Sequence, residues 1–293
     1  MPFINRINQN DTVYEILGNN DKHKNLLYNP WFLSNQRGFT SSPTELISLD
    51  DTVDLWFTGN QYSRVSIESD GIHLTYNGSN ACILCQDILN YSEMFGKEMT
   101  LSILLADGRI LSKSGTMPTT RPSDATSYLV ISGYARVYIG PTTFQARLFA
   151  EQNITVRAIK LEFGNESTLK AEGMPNVELE ELRCQNRLYV AKAVTGSFPT
   201  IGTGYIQSAT NARITIELPT DFIGSAVSIK ATPSAWRICT PTGGITPTAI
   251  EFQNISGRFL TLDVTIPSTT LTQNTICALR KFTANSIFEL SCG

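Results

Sequence analysis

The sequence predicts an all-β protein: a jelly-roll or β-sandwich domain, a short connecting helix and a second, smaller C-terminal β-sandwich. Apolar and polar residues alternate along short segments such as residues 153–163, as they do in half-buried strands. Turn dipeptides such as Asp70-Gly71 and Asp107-Gly108 separate these segments at roughly the spacing that is typical of sandwiches. A helical pattern is clear in one place, residues 177–193.

The composition excludes several classes of protein. Hydrophobic residues make up 41% of the 293 residues, so the chain can bury a full core and is not a disordered tail. Charged residues make up only 17% and the net charge is −3, so there is no basic excess for binding nucleic acid. No apolar run is long enough for a transmembrane helix, and the N-terminus lacks the pattern of a signal peptide.

Changes in this pattern divide the chain into four segments. Residues 1–24 are polar with scattered apolar side chains, and they are expected to form an attachment arm that becomes ordered on a partner or within an oligomer. Residues 25–165 are expected to form the jelly roll. Residues 166–195 form a linker that contains the helix, and residues 196–293 form the C-terminal β-sandwich.

Within the predicted jelly roll, residues 62–76 and 99–111 each read as a hairpin with a central Asp-Gly turn. Residues 128–139 and 153–163 are further strand regions. Residues 112–127 are rich in Ser, Thr and Pro and contain few large apolar side chains. This stretch is therefore predicted to be a long exposed loop, and such loops often carry binding sites.

The helix is predicted over residues 177–193, which contain strong helix formers and neither Gly nor Pro. Asn176 marks its start, and glutamates follow in the first turn, where the helix dipole favours negative charge. Its apolar stripe is expected to pack against the sandwiches or against symmetry mates. Strand patterns return at residues 213–218, 226–231 and 259–266, with prolines between them.

Nothing in the sequence predicts catalysis. Nucleophilic hydrolysis needs a histidine as base, and the only candidates are His23 and His73, of which His73 is expected to face solvent from a strand. The carboxylates of Asp50, Asp51 and Asp54 are the kind of group that hydrolyses glycosidic bonds, but acids in turns are usually solvated or bonded to backbone. We expect no enzyme activity and no catalytic residue.

Two of the six cysteines, Cys82 and Cys85, have C-x-x-C spacing. A zinc site needs two further ligands, and no second pair of matching form is present. Because the pair lies in an apolar strand, we expect buried, free thiols, with no metal and no cofactor. The remaining cysteines, also expected to be free, are Cys184, Cys239, Cys277 and Cys292.

Exposed aromatic rings can stack on sugars, with Asn, Asp and Gln side chains bonding the hydroxyl groups. The candidate rings are Trp31, Trp56, Trp236, Tyr62, Tyr76, Tyr134 and Tyr138. Most of them should be core residues, because sandwiches need large side chains inside. The sequence does not separate inward from outward rings, so it identifies no ligand-binding residue.

Five motifs follow one another along the chain. Residues 25–38 read N-L-L-Y-N-P-W-F-L-S-N-Q-R-G, residues 52–56 read T-V-D-L-W and residues 159–164 read I-K-L-E-F-G. Residues 180–189 read E-E-L-R-C-Q-N-R-L-Y, and residues 229–233 read I-K-A-T-P. In this order they resemble the opening segment, two jelly-roll strands, the helix and a later strand of tail-fibre and appendage proteins of phages and prophages.

The resemblance implies a carbohydrate-module-like jelly roll, a connecting helix and a terminal β domain, usually in a homotrimer. It implies a virion protein that is made in the host cytoplasm and released by lysis, and that attaches to other virion proteins through its N-terminal arm. The expected function is adhesion to a glycan on the host surface. The alternative is a structural capsid or collar fibre, or a decoration protein, without a dedicated ligand. The low charge of the chain favours neutral sugars.

Overall fold

The computed structural model describes residues 24–41, 52–88, 91–191, 199–223, 227–267, 271–283 and 288–292. The prediction of an all-β protein is confirmed, because the described elements form antiparallel sheets joined by one α-helix and short 3-10 turns. The predicted attachment arm lies outside the described residues apart from Lys24, and so do His23, Asp50 and Asp51.

The first sandwich has two five-stranded antiparallel sheets. Its strands are β1 (Phe57–Thr58), β2 (Arg64–Glu68), β3 (Gly71–Thr75), β4 (Cys82–Asp87), β5 (Glu98–Leu105), β6 (Ile110–Thr116), β7 (Thr126–Ile131), β8 (Ala135–Ile139), β9 (Phe144–Ala150) and β10 (Ile154–Phe163). One sheet has the order β1-β4-β9-β8-β7 and the other the order β2-β3-β10-β5-β6. The chain crosses repeatedly from one sheet to the other, as it does in jelly rolls.

Both predicted hairpins are present. β2 pairs with β3, and β5 pairs with β6 across a turn in which Gly108 has a φ of 85°. A glycine adopts such a positive φ without the strain that a Cβ atom would cause. Residues 128–139 divide into two strands, β7 and β8, which reverse direction near Gly133.

The predicted loop at residues 112–127 is wrong at both ends. Residues up to Thr116 belong to β6, and residues from Thr126 onward belong to β7. β6 is an edge strand with largely exposed or half-buried side chains, so Ser, Lys and Thr are tolerated there. The connection is therefore limited to residues 117–125.

The strand expected at residues 52–56 is also absent. The described residues before β1 form turns and irregular backbone, including residues 52–56, which resemble a strand motif. Asn29, Phe32 and Leu55 have positive φ values of 47°, 56° and 66°. Such values interrupt an extended backbone, which is why no strand forms here.

The core of the first sandwich includes Trp56, which is fully buried. Its ring lies against that of Phe32, with the ring centroids 5.3 Å apart. Its indole Nε1 donates to the carbonyl oxygens of Tyr28 and Asn29, at 3.2 Å in each case. This satisfies the one polar atom of a large buried side chain.

The helix begins where the sequence predicts. Helix α1 spans Val177–Gln185, and the side chain of the N-cap Asn176 accepts hydrogen bonds from the amides of Glu178 and Leu179 at 2.8 and 3.1 Å. This cap satisfies two of the amides that lack a partner within the helix.

The helix ends earlier than predicted. Residues Leu188–Ala191 form strand β11, which pairs with β20 (Phe288–Cys292), so pairing with a distant segment outweighs local helix propensity. Of the residues predicted to form the apolar stripe, Cys184 and Leu188 are buried and Leu182 is half-buried. The buried side chains of α1 are Glu180 and Cys184, whereas Leu179 is exposed.

The second sandwich packs a seven-stranded sheet against a three-stranded one. Its other strands are β12 (Thr200–Ser208), β13 (Asn211–Glu217), β14 (Val227–Ala231), β15 (Trp236–Thr240), β16 (Gly243–Ile245), β17 (Ala249–Ser256), β18 (Phe259–Thr265) and β19 (Ile276–Lys281). The sheet orders are β16-β15-β19-β12-β13-β18-β17 and β11-β20-β14. The strands predicted near residues 213, 226 and 259 are confirmed as β13, β14 and β18.

A cluster of charged side chains, centred on two buried residues of β10, attaches the linker to the first sandwich. Lys160 and Glu162 project from β10, and Lys160 Nζ donates to Thr168 Oγ1 at 2.8 Å and to the carboxylate of Glu172. The Glu162 carboxylate accepts hydrogen bonds from the amide and the hydroxyl of Thr168 at 2.8 and 2.6 Å. The motif at residues 159–164 therefore fixes the path of the chain toward α1.

Residues 24–41, which we call the junction segment, contain neither a helix nor a strand. Several of their buried polar groups are nevertheless satisfied by other parts of the chain. The amide of Asn29 donates to Glu180 Oε1 at 2.7 Å, and the Asp54 carboxylate accepts hydrogen bonds from the amide of Gln36 and the hydroxyl of Ser34. Because Asp54 and Glu180 are buried, these bonds replace those that water would otherwise provide.

The junction segment also binds the second sandwich. The Gln36 side chain donates to the Leu188 carbonyl at 2.9 Å and accepts from the Val190 amide at 3.4 Å, which covers the free edge of β11. Next to it, Arg37 Nε and Nη2 donate to the two carboxylate oxygens of Glu289 at 2.9 and 2.7 Å. These two side chains are only 12% and 5% exposed.

We expect Arg37→Ala to lower the free energy of unfolding by about 3 kcal/mol, because it leaves the buried Glu289 carboxylate without its partner. Urea denaturation measures this loss. The control is Arg109→Ala, which removes an exposed ion pair with Asp107 and should cost far less stability, because water screens the two charges. Replacing both Arg37 and Glu289 with Met should recover most of the stability. Equal losses for the two alanine variants would contradict this account.

Candidate functional site

The outer face of the sheet β1-β4-β9-β8-β7 carries a compact group of charged and aromatic side chains. In β8 and β9 every second residue enters the apolar core, so the residues between them face outward. We call this surface the arginine–aromatic face. Its members are Asp87, Arg136, Tyr138, Gln145, Arg147 and Phe149.

The two arginines of this face are stacked on aromatic rings. Arg136 and Arg147 lie directly opposite each other on β8 and β9. The guanidinium carbon of Arg136 lies 3.3 Å from the centroid of the Phe149 ring, and that of Arg147 lies 3.5 Å from the centroid of Tyr138. These are diagonal contacts between neighbouring strands, so the two cation–π pairs interlock. Burial, and then the charge of Arg147, lowers the pKa of the Arg136 guanidinium.

A chain of hydrogen bonds fixes the polar side chains beside these rings. Arg147 donates from Nε and Nη2 to Gln145 Oε1 at 2.9 and 2.7 Å, and Gln145 Nε2 donates to Asp87 Oδ1 at 2.8 Å. Asp87 Oδ2 and Arg147 Nη1 have no hydrogen-bond partner within the described part of the chain. The face therefore presents one acceptor and one donor group in fixed positions.

A groove of about 610 Å³ opens along the β1–β4–β9 side of this face. Phe57, Asp87, Gln145 and Arg147 line it, and Tyr91 closes it beyond the end of the sheet. The volume falls within the range of small-ligand sites, and the lining combines apolar rings with a few polar groups, as such sites do.

The two rings of the groove differ in their neighbours. Tyr91 stacks on Phe144, with the ring centroids 5.3 Å apart, and the guanidinium carbon of Arg121 lies 4.4 Å from the Tyr91 centroid. The half-buried ring of Phe57 has no aromatic or cationic partner among the described residues. Phe57 therefore provides the apolar surface that is open to a ligand.

Most of the aromatic residues that the sequence puts forward lie elsewhere. All three tryptophans are buried. Tyr62 is 42% exposed but lies outside the groove, and Tyr138 is the one candidate that belongs to the arginine–aromatic face. Phe57 and Phe149 were not among the candidates. The alternation in β9 indicates that Phe149 faces outward, but a two-residue strand such as β1 gives no such indication for Phe57.

The residues that the sequence offers as candidates for catalysis make hydrogen bonds within the fold. The Nδ1 atom of His73 lies 2.9 Å from Thr155 Oγ1 on the adjacent strand β10 of the same sheet, and the His73 side chain is half-buried. Of the two ordinary roles expected for Asp54, solvation is wrong, because the residue is fully buried. Bonding to backbone is right, because its carboxylate accepts the amide of Gln36.

Five cysteines are free, as predicted, namely Cys82, Cys85, Cys184, Cys239 and Cys277, and both cysteines of the C-x-x-C motif are buried. Burial raises the pKa of Cys82 to about 11 and that of Cys85 to about 12. Since zinc binds the thiolate, thiols held in the neutral form are poor ligands. Within the described ranges, no cluster of three or more His, Cys, Asp or Glu residues is placed to hold a metal ion.

We expect the thiols of Cys82 and Cys85 to resist a short pulse of iodoacetamide at about pH 8, because their raised pKa values keep them neutral and the fold covers them. Mass spectrometry of the tryptic peptides measures the modification. The same peptides from protein pulsed in urea are the control and should be alkylated. Alkylation of the folded protein at the rate of the unfolded chain would contradict the burial of this pair.

No helix in the described part of the chain is long and apolar enough to cross a membrane. Comparison of the chain with models of protein families, with curated proteins and with solved structures finds no match.

Proposed function

We propose that this chain is a subunit of a phage virion fibre or appendage, and that its first sandwich binds a saccharide on the host cell surface. The groove is the observation that supports saccharide binding. It places the open ring of Phe57 beside the carboxylate of Asp87, the amide of Gln145 and the guanidinium of Arg147. A ring of this kind packs on the apolar face of a sugar, and the planar polar groups bond its hydroxyls.

The polar part of the groove is organised before a ligand arrives. The hydrogen bonds from Arg147 to Gln145 and from Gln145 to Asp87 hold all three side chains on the rigid strands β4 and β9. Little side-chain entropy is then lost on binding. A single shallow site of this kind typically binds near millimolar, about 4 kcal/mol, and three linked sites raise the overall affinity by roughly 10²–10⁴.

The virion part of the proposal rests on the motifs. The motif at residues 25–38 contacts the motif at residues 180–189 through the bonds of Asn29 to Glu180 and of Gln36 to Leu188. The residues that carry the resemblance to phage fibres are thus scaffold residues. This observation favours a second candidate function, a structural capsid or collar fibre, or a decoration protein, without a dedicated ligand.

We expect the protein to bind members of an array of bacterial surface glycans. Phe57→Ala should weaken this binding at least about tenfold, or about 1.4 kcal/mol, because it removes the open ring of the groove. Phe57→Tyr should keep most of it, since the ring remains. Calorimetric titration with the best glycan of the array measures both effects.

The matched control is Tyr62→Ala, which removes an exposed ring outside the groove and should leave glycan binding unchanged. Thermal unfolding of each variant checks that the fold persists. Binding that survives in a folded Phe57→Ala variant would place the saccharide elsewhere. If no glycan of the array binds, the structural fibre becomes the better account.

We expect the full chain to assemble as a homotrimer, as the resemblance to phage fibres implies. Light scattering at micromolar concentration should then report about three times 32.3 kDa. A monomer under these conditions would contradict the trimer and would remove the gain from linked sites.

A further inference from the structure

We propose that the saccharide bound here is anionic, and that its carboxylate or phosphodiester group lies between the guanidinium groups of Arg136 and Arg147. This inference rests on the proposed function and names the class of sugar. It departs from the neutral sugars expected from composition, because a net charge averaged over the chain does not reveal where positive charges cluster.

Among the described residues, the arginines around this face lack the carboxylate partners that five other arginines have. Five ion pairs elsewhere join Arg37 to Glu289, Arg109 to Asp107, Arg183 to Glu180, Arg213 to Asp263 and Arg258 to Glu217. Arg121, Arg136 and Arg147 instead lie over aromatic rings, and in the described part of the chain none of them forms an ion pair. The acids near them are Asp87, in the groove, and Glu151, whose charge acts on Arg136, so three arginines face two carboxylates and positive charge is in excess.

Because the two arginines cover the ring faces, the groups that remain for a ligand are guanidinium N–H donors. The guanidinium groups of Arg136 and Arg147 already cover the rings of Phe149 and Tyr138, at 3.3 and 3.5 Å from the centroids. A sugar cannot stack on those covered faces. Arg136 Nη1 donates to Ser127 Oγ at 3.3 Å, and Arg147 Nε and Nη2 donate to Gln145. The other N–H groups of the two guanidinium groups are left for a ligand, and such groups match the oxygens of carboxylates and phosphates.

The position of the two arginines explains why an anion would bind between them. Like charges directly opposite each other on neighbouring strands repel, and here Arg136 faces Arg147. The ring contacts hold both groups in place despite this repulsion. An anion between them removes the repulsion and gains two charge-assisted interactions, whereas a neutral hydroxyl gains less.

The test uses the unmodified full chain and immobilised polysaccharides of known charge. The acidic probes are polygalacturonate, alginate and a glycerol-phosphate teichoic acid, and the neutral probes are carboxyl-reduced polygalacturonate and dextran. We expect at least one acidic probe to bind at least about tenfold more tightly than the neutral probes. That binding should weaken as NaCl rises from about 50 mM to about 500 mM, since salt screens exposed charges.

Each outcome of this comparison decides a separate question. Binding of an acidic polygalacturonate or alginate indicates a carboxylate, and binding of the teichoic acid alone indicates a phosphodiester. Equal binding of polygalacturonate and its carboxyl-reduced form, or binding confined to neutral probes, overturns this inference and leaves saccharide binding standing. A chain that binds no probe and no glycan of the wider array overturns both.

Substitutions of Arg136 then test where the anionic group of the saccharide binds. Arg136→Gln, which leaves the groove lining intact, should weaken binding of the acidic probe at least about tenfold and leave binding to neutral probes unchanged. Arg136→Lys keeps the charge but loses the planar fork, so its affinity for the acidic probe should lie between that of the unmodified chain and that of Arg136→Gln. The control is Arg213→Gln, which removes a strand-borne arginine of the second sandwich. A folded Arg136→Gln variant with unchanged affinity for the acidic probe overturns the placement of the anionic group between the two arginines. The comparison of probes uses the unmodified chain, so it does not depend on any variant folding.

Discussion

The buried carboxylates of Asp54 and Glu180 are the contacts on which the arrangement of the molecule depends. The junction segment forms neither a helix nor a strand, so its amides need acceptors from other parts of the chain. A buried amide without an acceptor costs about 1–3 kcal/mol of stability. Asp54 supplies acceptors from the turn before β1, and Glu180 supplies one from α1. These bonds fix an irregular stretch of chain, and this stretch holds Gln36 and Arg37 against the second sandwich.

The sequence could predict the parts of the fold that depend on neighbours along the chain. Alternation and Asp-Gly turns located two hairpins, and Asn176 located the start of α1. The end of α1 could not be predicted, because β11, which replaces its last turns, pairs with a strand about a hundred residues later. The strand β6 was missed because an edge strand tolerates the polar residues that otherwise indicate a loop.

The candidate site shows the same limit. Alternation within β8 and β9 indicates which side chains face outward, but not which strands adjoin. Asp87 and Gln145 are 58 residues apart in the sequence and meet only because β4 pairs with β9. Tyr138 was a candidate ring, yet the arginine over it belongs to the neighbouring strand, and a composition with 17% charged residues gave no reason to expect cations on one face. Strand order created the site, and strand order is not a local property.

The pair of Arg37 and Glu289 joins residues 252 positions apart in the sequence, and this has a mechanical consequence. A force that pulls residue 24 away from residue 292 does not have to travel through the two cores. It passes from the junction segment to β20 through the ion pair, and to β11 through Gln36. The same force also loads the bonds of Asn25 and Leu26 to β10. The two sandwiches are thus coupled mechanically through the junction segment as well as along the chain.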